Sequence, residues 1–152
     1  MIELKRSRDI EELMKWRGEV VENVFGNPAS PQLLRANREY YEKHIPEESH
    51  LAYIALLDGR EVGCGSICLS DELPSPDNST GHCAYLMNIY VRKPFRSHGV
   101  GHSIVMKLLE EAKNLNCGKI YLETTEEGRS LYESLGFGDL PDMMKYKDYE
   151  RN

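Results

Sequence analysis

The chain has 152 residues, a net charge of −6 and 29% charged residues. That length suits a single domain with a real core, and the acidic balance excludes a nucleic-acid-binding surface, which needs clustered Lys and Arg to displace counterions. No apolar run reaches the length that spans a membrane, and residues 1–6 contain no apolar signal core, so one cytoplasmic domain over residues 1–152 is expected, with neither nucleic acid nor membrane as a partner.

Residues 2–6 read as a first strand. Asp9 with Glu12 makes a capping-box pattern that opens a helix running to about Phe25, with Ile10, Leu13, Met14, Val20, Val21 and Val24 on one stripe. Gly26-Asn27-Pro28 stops it. Residues 30–44 form a second predicted helix, packed through Leu33, Leu34, Tyr40 and Tyr41 and ended by Pro46. Two apolar runs, 51–57 and 61–69, flank Asp58-Gly59, a strong hairpin signal, and should pair antiparallel. Residues 70–82 are polar and rich in proline, which predicts a surface loop. Residues 83–91 are apolar on both parities and predict a central strand buried on both faces. A helix beginning near Gly99 carries the stripe Val100, Ile104, Leu108, Leu109, Ala112 and Leu115, and Gly118 is its expected stop. Residues 119–124 predict a strand, 125–135 a short helix capped by Gly136, and 137–149 one or two terminal strands. Helices between mixed strands imply an α/β (α+β) layered fold around one sheet.

Cys64, Cys68, Cys83 and Cys117 are widely spaced in strand-like runs or at a helix end and read as small buried hydrophobes. No paired Cys or His motif completes a zinc set, so no metal is expected.

The richest stretch joins the central strand to the following helix: Arg96-Ser97-His98-Gly99-Val100-Gly101. A helix start leaves its first N–H groups unpaired and carries partial positive charge, so it suits a phosphate group. Gly99 and Gly101 let the backbone approach that anion without an obstructing Cβ. The spacing matches neither a nucleoside-triphosphate loop nor a dinucleotide loop. It is Arg-x-x-Gly-x-Gly, preceded by Tyr90-Val91-Arg92-Lys93-Pro94 and followed downstream by Leu131-Tyr132-Glu133-Ser134-Leu135-Gly136-Phe137.

In combination these motifs resemble the GNAT superfamily of acyl-CoA-dependent N-acyltransferases, over about residues 51–137. The resemblance implies a mixed, mostly antiparallel central sheet flanked by helices, with acetyl-CoA as co-substrate. Its pantetheine arm would enter between the central strand and the next one, pairing with backbone at Ile89, Tyr90 and Val91. Its pyrophosphate would rest on the amides of Arg96, Ser97, His98, Gly99, Val100 and Gly101, with His102 and Ser103 adding contacts from the first helical turn.

Acyl transfer to an amine needs a deprotonated amine, a donor for the developing oxyanion and a proton for the departing thiolate. The resemblance assigns thiolate protonation to Tyr132, whose phenol is otherwise an ordinary core group on a short helix, and the oxyanion donor to the backbone N–H of Ile89. Many relatives carry a glutamate where this chain has Tyr85. A tyrosine is no simple base near neutral pH, so the amine proton must leave through water, oriented by Asn88, or through another carboxylate, with Glu123, Glu126 and Glu127 as candidates. Where relatives have Asn and Ala before the tyrosine, this chain has Thr125 and Gly128.

The acceptor is expected to border the first two helices and the 70–82 loop. Arg17 falls in the middle of the stripe of the first helix, where a charge must snorkel, pair with a carboxylate or face a polar cleft. In the last case Arg17, with Trp16, would contact an acceptor bearing a carboxylate or phosphate; Tyr40, Tyr41 and His44 are further candidates. The expected activity is acetyl transfer to a primary amine of a small molecule. The alternative is a non-catalytic acyl-CoA-binding or sensing module, which the missing glutamate at Tyr85 keeps open and Tyr132 counts against. Edge strands and exposed aromatics near Tyr146 and Tyr149 permit a homodimer.

Overall fold

A computed structural model describes residues 1–147. One five-stranded sheet has the order β1 (Ile2–Ser7), β2 (His50–Leu57), β3 (Arg60–Asp71), β4 (His82–Val91) and β5 (Lys119–Tyr121). The first four strands pair antiparallel and β5 runs parallel to β4, so the sheet is mixed and mostly antiparallel. The helices α1 (Ile10–Phe25) and α2 (Pro31–His44) cover one face, α3 (Val100–Asn114) covers the other, and the short α4 (Arg129–Ser134) follows β5.

Alternation along β2 divides the core between the two faces. Leu51, Tyr53 and Ala55 pack with Val100, Ile104, Val105 and Leu108 of α3. Ala52 and Ile54 pack with Leu13, Trp16 and Val20 of α1 and Tyr41 of α2. Asp58 (φ 50°) and Gly59 (φ 83°) make the tight β2–β3 turn with left-handed backbone at both positions, as Asp-Gly in a hairpin requires. The start of α1 differs slightly from a reciprocal capping box. Asp9 accepts from the Glu12 N–H at 3.2 Å, but Glu12 takes the Ser7 hydroxyl at 2.6 Å, and that same hydroxyl serves the Asp9 N–H.

Several expectations need correction. Val24, Leu33 and Leu115 are exposed, because each lies at a helix end or beyond the sheet's footprint. The left-handed residue after α3 is Asn116 (φ 58°), not Gly118; Gly118 is needed because a Cβ there would collide with the Asn78 side chain. The loop between β3 and β4 is shorter than 70–82, since both strands extend into it through the pairs Ser70 with Cys83 and Asp71 with His82. Residues 125–135 split into a 3₁₀ turn (Glu126–Gly128) and α4. Residues 137–147 form no strand, and the rest of that expected segment, 148–149, lies outside the described residues.

The feature that positions the site is the way β4 leaves its neighbours. Its pairing with β5 covers only Cys83, Ala84 and Tyr85, against Lys119, Ile120 and Tyr121. Beyond Tyr85 the two strands part, so the expected two-sided burial of residues 83–91 holds only for the first part of the strand. On the β3 side, Met87 pairs with Ser66 and Tyr90 with Cys64, leaving Asn88 and Ile89 opposite Gly65 alone. This is a bulge, with Asn88 at φ 57°. Gly65 is required there, because a Cβ would drive into the Ile104 side chain of α3 and approach Ile89 at 3.5 Å. Gly65→Ala is therefore expected to destabilise the protein by about 1–3 kcal/mol through overpacking. A urea midpoint equal to the wild type's would contradict the packing of the bulge against α3.

Candidate active site

Past β4, Lys93–Phe95 makes one 3₁₀ turn before the glycine loop. Within the loop Ser97 (φ 67°) and Gly99 (φ 83°) are left-handed, and Gly99 is the N-cap of α3. Left-handed residues in such a turn are the kind of backbone from which anion-binding nests are made. The Arg96 N–H is used by the Lys93 carbonyl at 3.3 Å, and the Ser103 N–H by the Gly99 carbonyl at 3.0 Å. Between them, residues 97–102 have no protein partner for their backbone N–H groups among the described residues. Of the amides expected to face a phosphate, that of Arg96 is already used within the protein, while the His102 N–H is unpartnered among the described residues and the Ser103 N–H is used inside the helix.

Two side chains brace the loop. The His98 ring nitrogen Nδ1 lies 2.8 Å from the Arg96 carbonyl, and Arg96 Nε donates to the Val91 carbonyl at 2.9 Å. That second bond uses one of the two lone pairs of a carbonyl expected to receive the pantetheine arm. Gly101 packs closely, with a Cβ position 3.4 Å from Leu131, whereas a Cβ on Gly99 would make only an ordinary contact with Ile2 at 3.9 Å.

Where β4 and β5 part, a cavity of about 500 Å³ opens between α1, β4 and the segment leading to α4. It brings together Tyr85, Asn88, Ile89, Glu123 and Tyr132, with Arg17 at its edge. Tyr85 donates its hydroxyl to Glu123 Oε1 at 2.7 Å. Burial together with the Glu123 carboxylate pushes the Tyr85 phenol up to about 12, so it stays a proton donor to that carboxylate. Tyr132 packs edge-on against Phe137, with ring centroids 5.8 Å apart. Burial raises its pKa, and its hydroxyl has no hydrogen-bond partner among the described residues. Gly128 is needed beside it, because a Cβ there would meet the Thr124 hydroxyl. Glu126 and Glu127, the other carboxylates considered, do not line this cavity.

A smaller cavity of about 230 Å³ adjoins the first between α1, α2 and the sheet, and shares Arg17, Met87 and Asn88 with it. Arg17 neither snorkels nor meets a carboxylate among the described residues. Its Nε donates to Asn37 Oδ1 at 2.9 Å and a terminal nitrogen to Asn88 Oδ1 at 2.8 Å. Tyr40 lies in the same wall, its hydroxyl 2.8 Å from His50 Nδ1 and 3.1 Å from Cys68 Sγ. Tyr41 also lines this cavity, whereas His44 stands behind Tyr40 and bonds to Ser49.

Trp16 is a correction. It is buried in the core, donates Nε1 to Glu61 at 3.1 Å and carries the Arg92 guanidinium 4.4 Å above its ring, lining neither cavity. One helical step separates it from Arg17, and that 100° turn carries the indole into the sheet while leaving the guanidinium at the cleft. Asn37, His50, Cys68 and Met87 are cavity residues that sequence reasoning missed. They come from α2, β2, β3 and β4, and only the tertiary fold brings them together.

Residues 11–137 match the acetyltransferase (GNAT) family, and the chain belongs to that family. It is 29% identical over 79 residues to glucosamine 6-phosphate N-acetyltransferase of Trypanosoma brucei brucei and 36% identical over 64 residues to thialysine N-epsilon-acetyltransferase of Mus musculus. These matches span 52% of this chain and 52% of the trypanosomal protein, and 40% of this chain and 38% of the mouse protein. Among solved structures, one from Clostridium acetobutylicum, described as a predicted acetyltransferase with acetyl-CoA, superposes with a TM-score of 0.85 at 21% identity. That superposition covers 97% of this chain and 96% of the other, and it fixes the fold.

Proposed function

We propose that the protein is an N-acetyltransferase that moves an acetyl group from acetyl-CoA to a primary amine of a small molecule by direct attack. The observation that carries this reading is the run of unpartnered N–H groups at residues 97–102, placed at the end of a strand that has parted from its neighbour. An anion-binding helix start beside an unpaired strand edge suits a pyrophosphate joined to an extended amide-bearing arm. The family membership, and the acetyl-CoA of the clostridial structure, support the same donor.

Acetyl-CoA supplies an activated thioester. Residues 97–102 hold its phosphates through backbone N–H groups, and the parted edge of β4 from Ile89 to Val91 receives its arm. The Ile89 N–H, turned by the bulge, is the donor toward the thioester oxygen as charge develops there. Glu123 takes a proton from the acceptor's ammonium, freeing the neutral amine to attack the thioester carbonyl, and Tyr85 positions Glu123 through the 2.7 Å hydrogen bond. Tyr132 gives its phenolic proton to the leaving sulfur. In this scheme the carboxylate missing at Tyr85 is supplied from across the cleft, which favours an enzyme over a non-catalytic sensor.

Glu123→Gln keeps the shape and still accepts from Tyr85, but it cannot take a proton. It is expected to lower kcat/KM for amines by about 100-fold at neutral pH, read as thiol release from acetyl-CoA. Activity within twofold of wild type would remove Glu123 from the base role. The function as a whole is tested by thiol release with a broad panel of primary amines: turnover of at least one supports it, and acetyl-CoA binding with no turnover favours the sensing module.

A further inference from the structure

The smaller cavity says what kind of amine fits, given the transferase reading on which this inference rests. Among the described residues Arg17 is the one cation in its wall, since burial and the neighbouring His44 and Arg17 charges push His50 down to about 4 and keep it neutral. No carboxylate among those residues lines the cavity. A guanidinium hydrogen-bonded only to the two neutral amides of Asn37 and Asn88 among the described residues has no carboxylate directly on it, in a wall that also contains Ala36, Tyr40, Tyr41 and Met87. His50 is itself 3% exposed with Nε2 unpartnered, so nothing else on this wall neutralises an anion. The larger cavity is lined by both Glu123 and the same arginine.

We infer that the acceptor is an amino acid with an apolar side chain, its carboxylate on Arg17, its ammonium on the Glu123 side and its side chain in the smaller cavity. The two cavities meet at Arg17 and Asn88, so one small molecule can reach all three features. A volume of about 230 Å³ falls below the roughly 300–1,000 Å³ of sites that enclose a drug-sized ligand, so this cavity takes a side group. A phosphate dianion is disfavoured, because a single guanidinium beside Glu123 leaves it undercompensated, and a peptide N-terminus lacks the carboxylate that Arg17 requires.

The test uses matched acceptors with acetyl-CoA: L-phenylalanine against 2-phenylethylamine, L-leucine against isoamylamine, and glucosamine 6-phosphate as the phosphate arm. Wild type is expected to favour each amino acid over its decarboxylated partner by about 10–100-fold in kcat/KM, and over glucosamine 6-phosphate. Arg17→Met should lower the amino acids to the level of their partners, and Arg17→Lys should keep part of the preference. Equal rates for matched pairs, a preference that survives Arg17→Met, or a preference for glucosamine 6-phosphate would each overturn the inference. Acetyl-CoA titration of both variants checks that they are folded. Failure of wild type to bind acetyl-CoA would instead strike the transferase reading. If acetyl-CoA binds but no acceptor turns over, N-acetyl-L-phenylalanine and N-(2-phenylethyl)acetamide titrated with free CoA present read the same preference, and equal affinity for the two overturns it.

Discussion

Gly99→Glu is expected to weaken acetyl-CoA binding by about 100-fold or more while leaving a folded protein. Gly99 sits at φ 83° as the N-cap of α3, where an added Cβ would meet only Ile2 at an ordinary 3.9 Å. The substitution costs about 1 kcal/mol of backbone strain, small against the stability of a domain. Its effect on the ligand is far larger. The new carboxylate stands among the N–H groups of residues 97–102, competes for them and repels a phosphate at the same place. Losing two charge-assisted hydrogen bonds at about 1.5–3 kcal/mol each accounts for a loss of about 10²–10⁴-fold. Gly99→Ala isolates the strain and should lose only a few-fold in affinity. Wild-type affinity in a folded Gly99→Glu protein would show that the loop does not hold the cofactor.

Tyr132→Phe is expected to lower kcat by about 10²–10³-fold with the dissociation constant of acetyl-CoA changed less than about threefold. At rest the hydroxyl has no hydrogen-bond partner among the described residues, and burial raises its pKa. Removing it therefore breaks no bond in the fold, while the ring keeps its edge-on packing against Phe137. Thermal stability should match the wild type's or exceed it slightly. A kcat within twofold of wild type would remove Tyr132 from the proton-donor role.

Local signals carried the sequence reading where one residue type has one physical use. Asp58-Gly59 specifies a turn with two left-handed residues, and the structure has both. Gly99 at a strand-to-helix junction marks a helix start, and the N–H groups there are unpartnered among the described residues. The charge of Arg17 on an apolar stripe required a snorkelling, carboxylate-paired or cleft-facing side chain without deciding among them, and the structure gives it the amides of Asn37 and Asn88. Signals that depend on neighbours distant in sequence were not legible. Nothing local distinguishes Trp16 as core and Arg17 as cleft, because both lie close to the same stripe and the sheet decides which is covered. The bulge at Asn88 depends on Gly65 and Ile104 across the sheet. The meeting of Tyr85 and Glu123 depends on β4 and β5 staying paired up to that point. Strand patterning after Phe137 was misleading, since apolar residues such as Leu140, Met143 and Met144 are exposed, and alternation without a neighbouring strand edge makes no ladder.

The most direct test of the central claim is calorimetric titration of the purified protein with acetyl-CoA, with free CoA and NAD as parallel titrants. Binding by residues 97–102 and the parted edge of β4 predicts saturable one-to-one heats for acetyl-CoA and CoA and none for NAD. The absence of acetyl-CoA binding, or equal binding of NAD, would contradict the account.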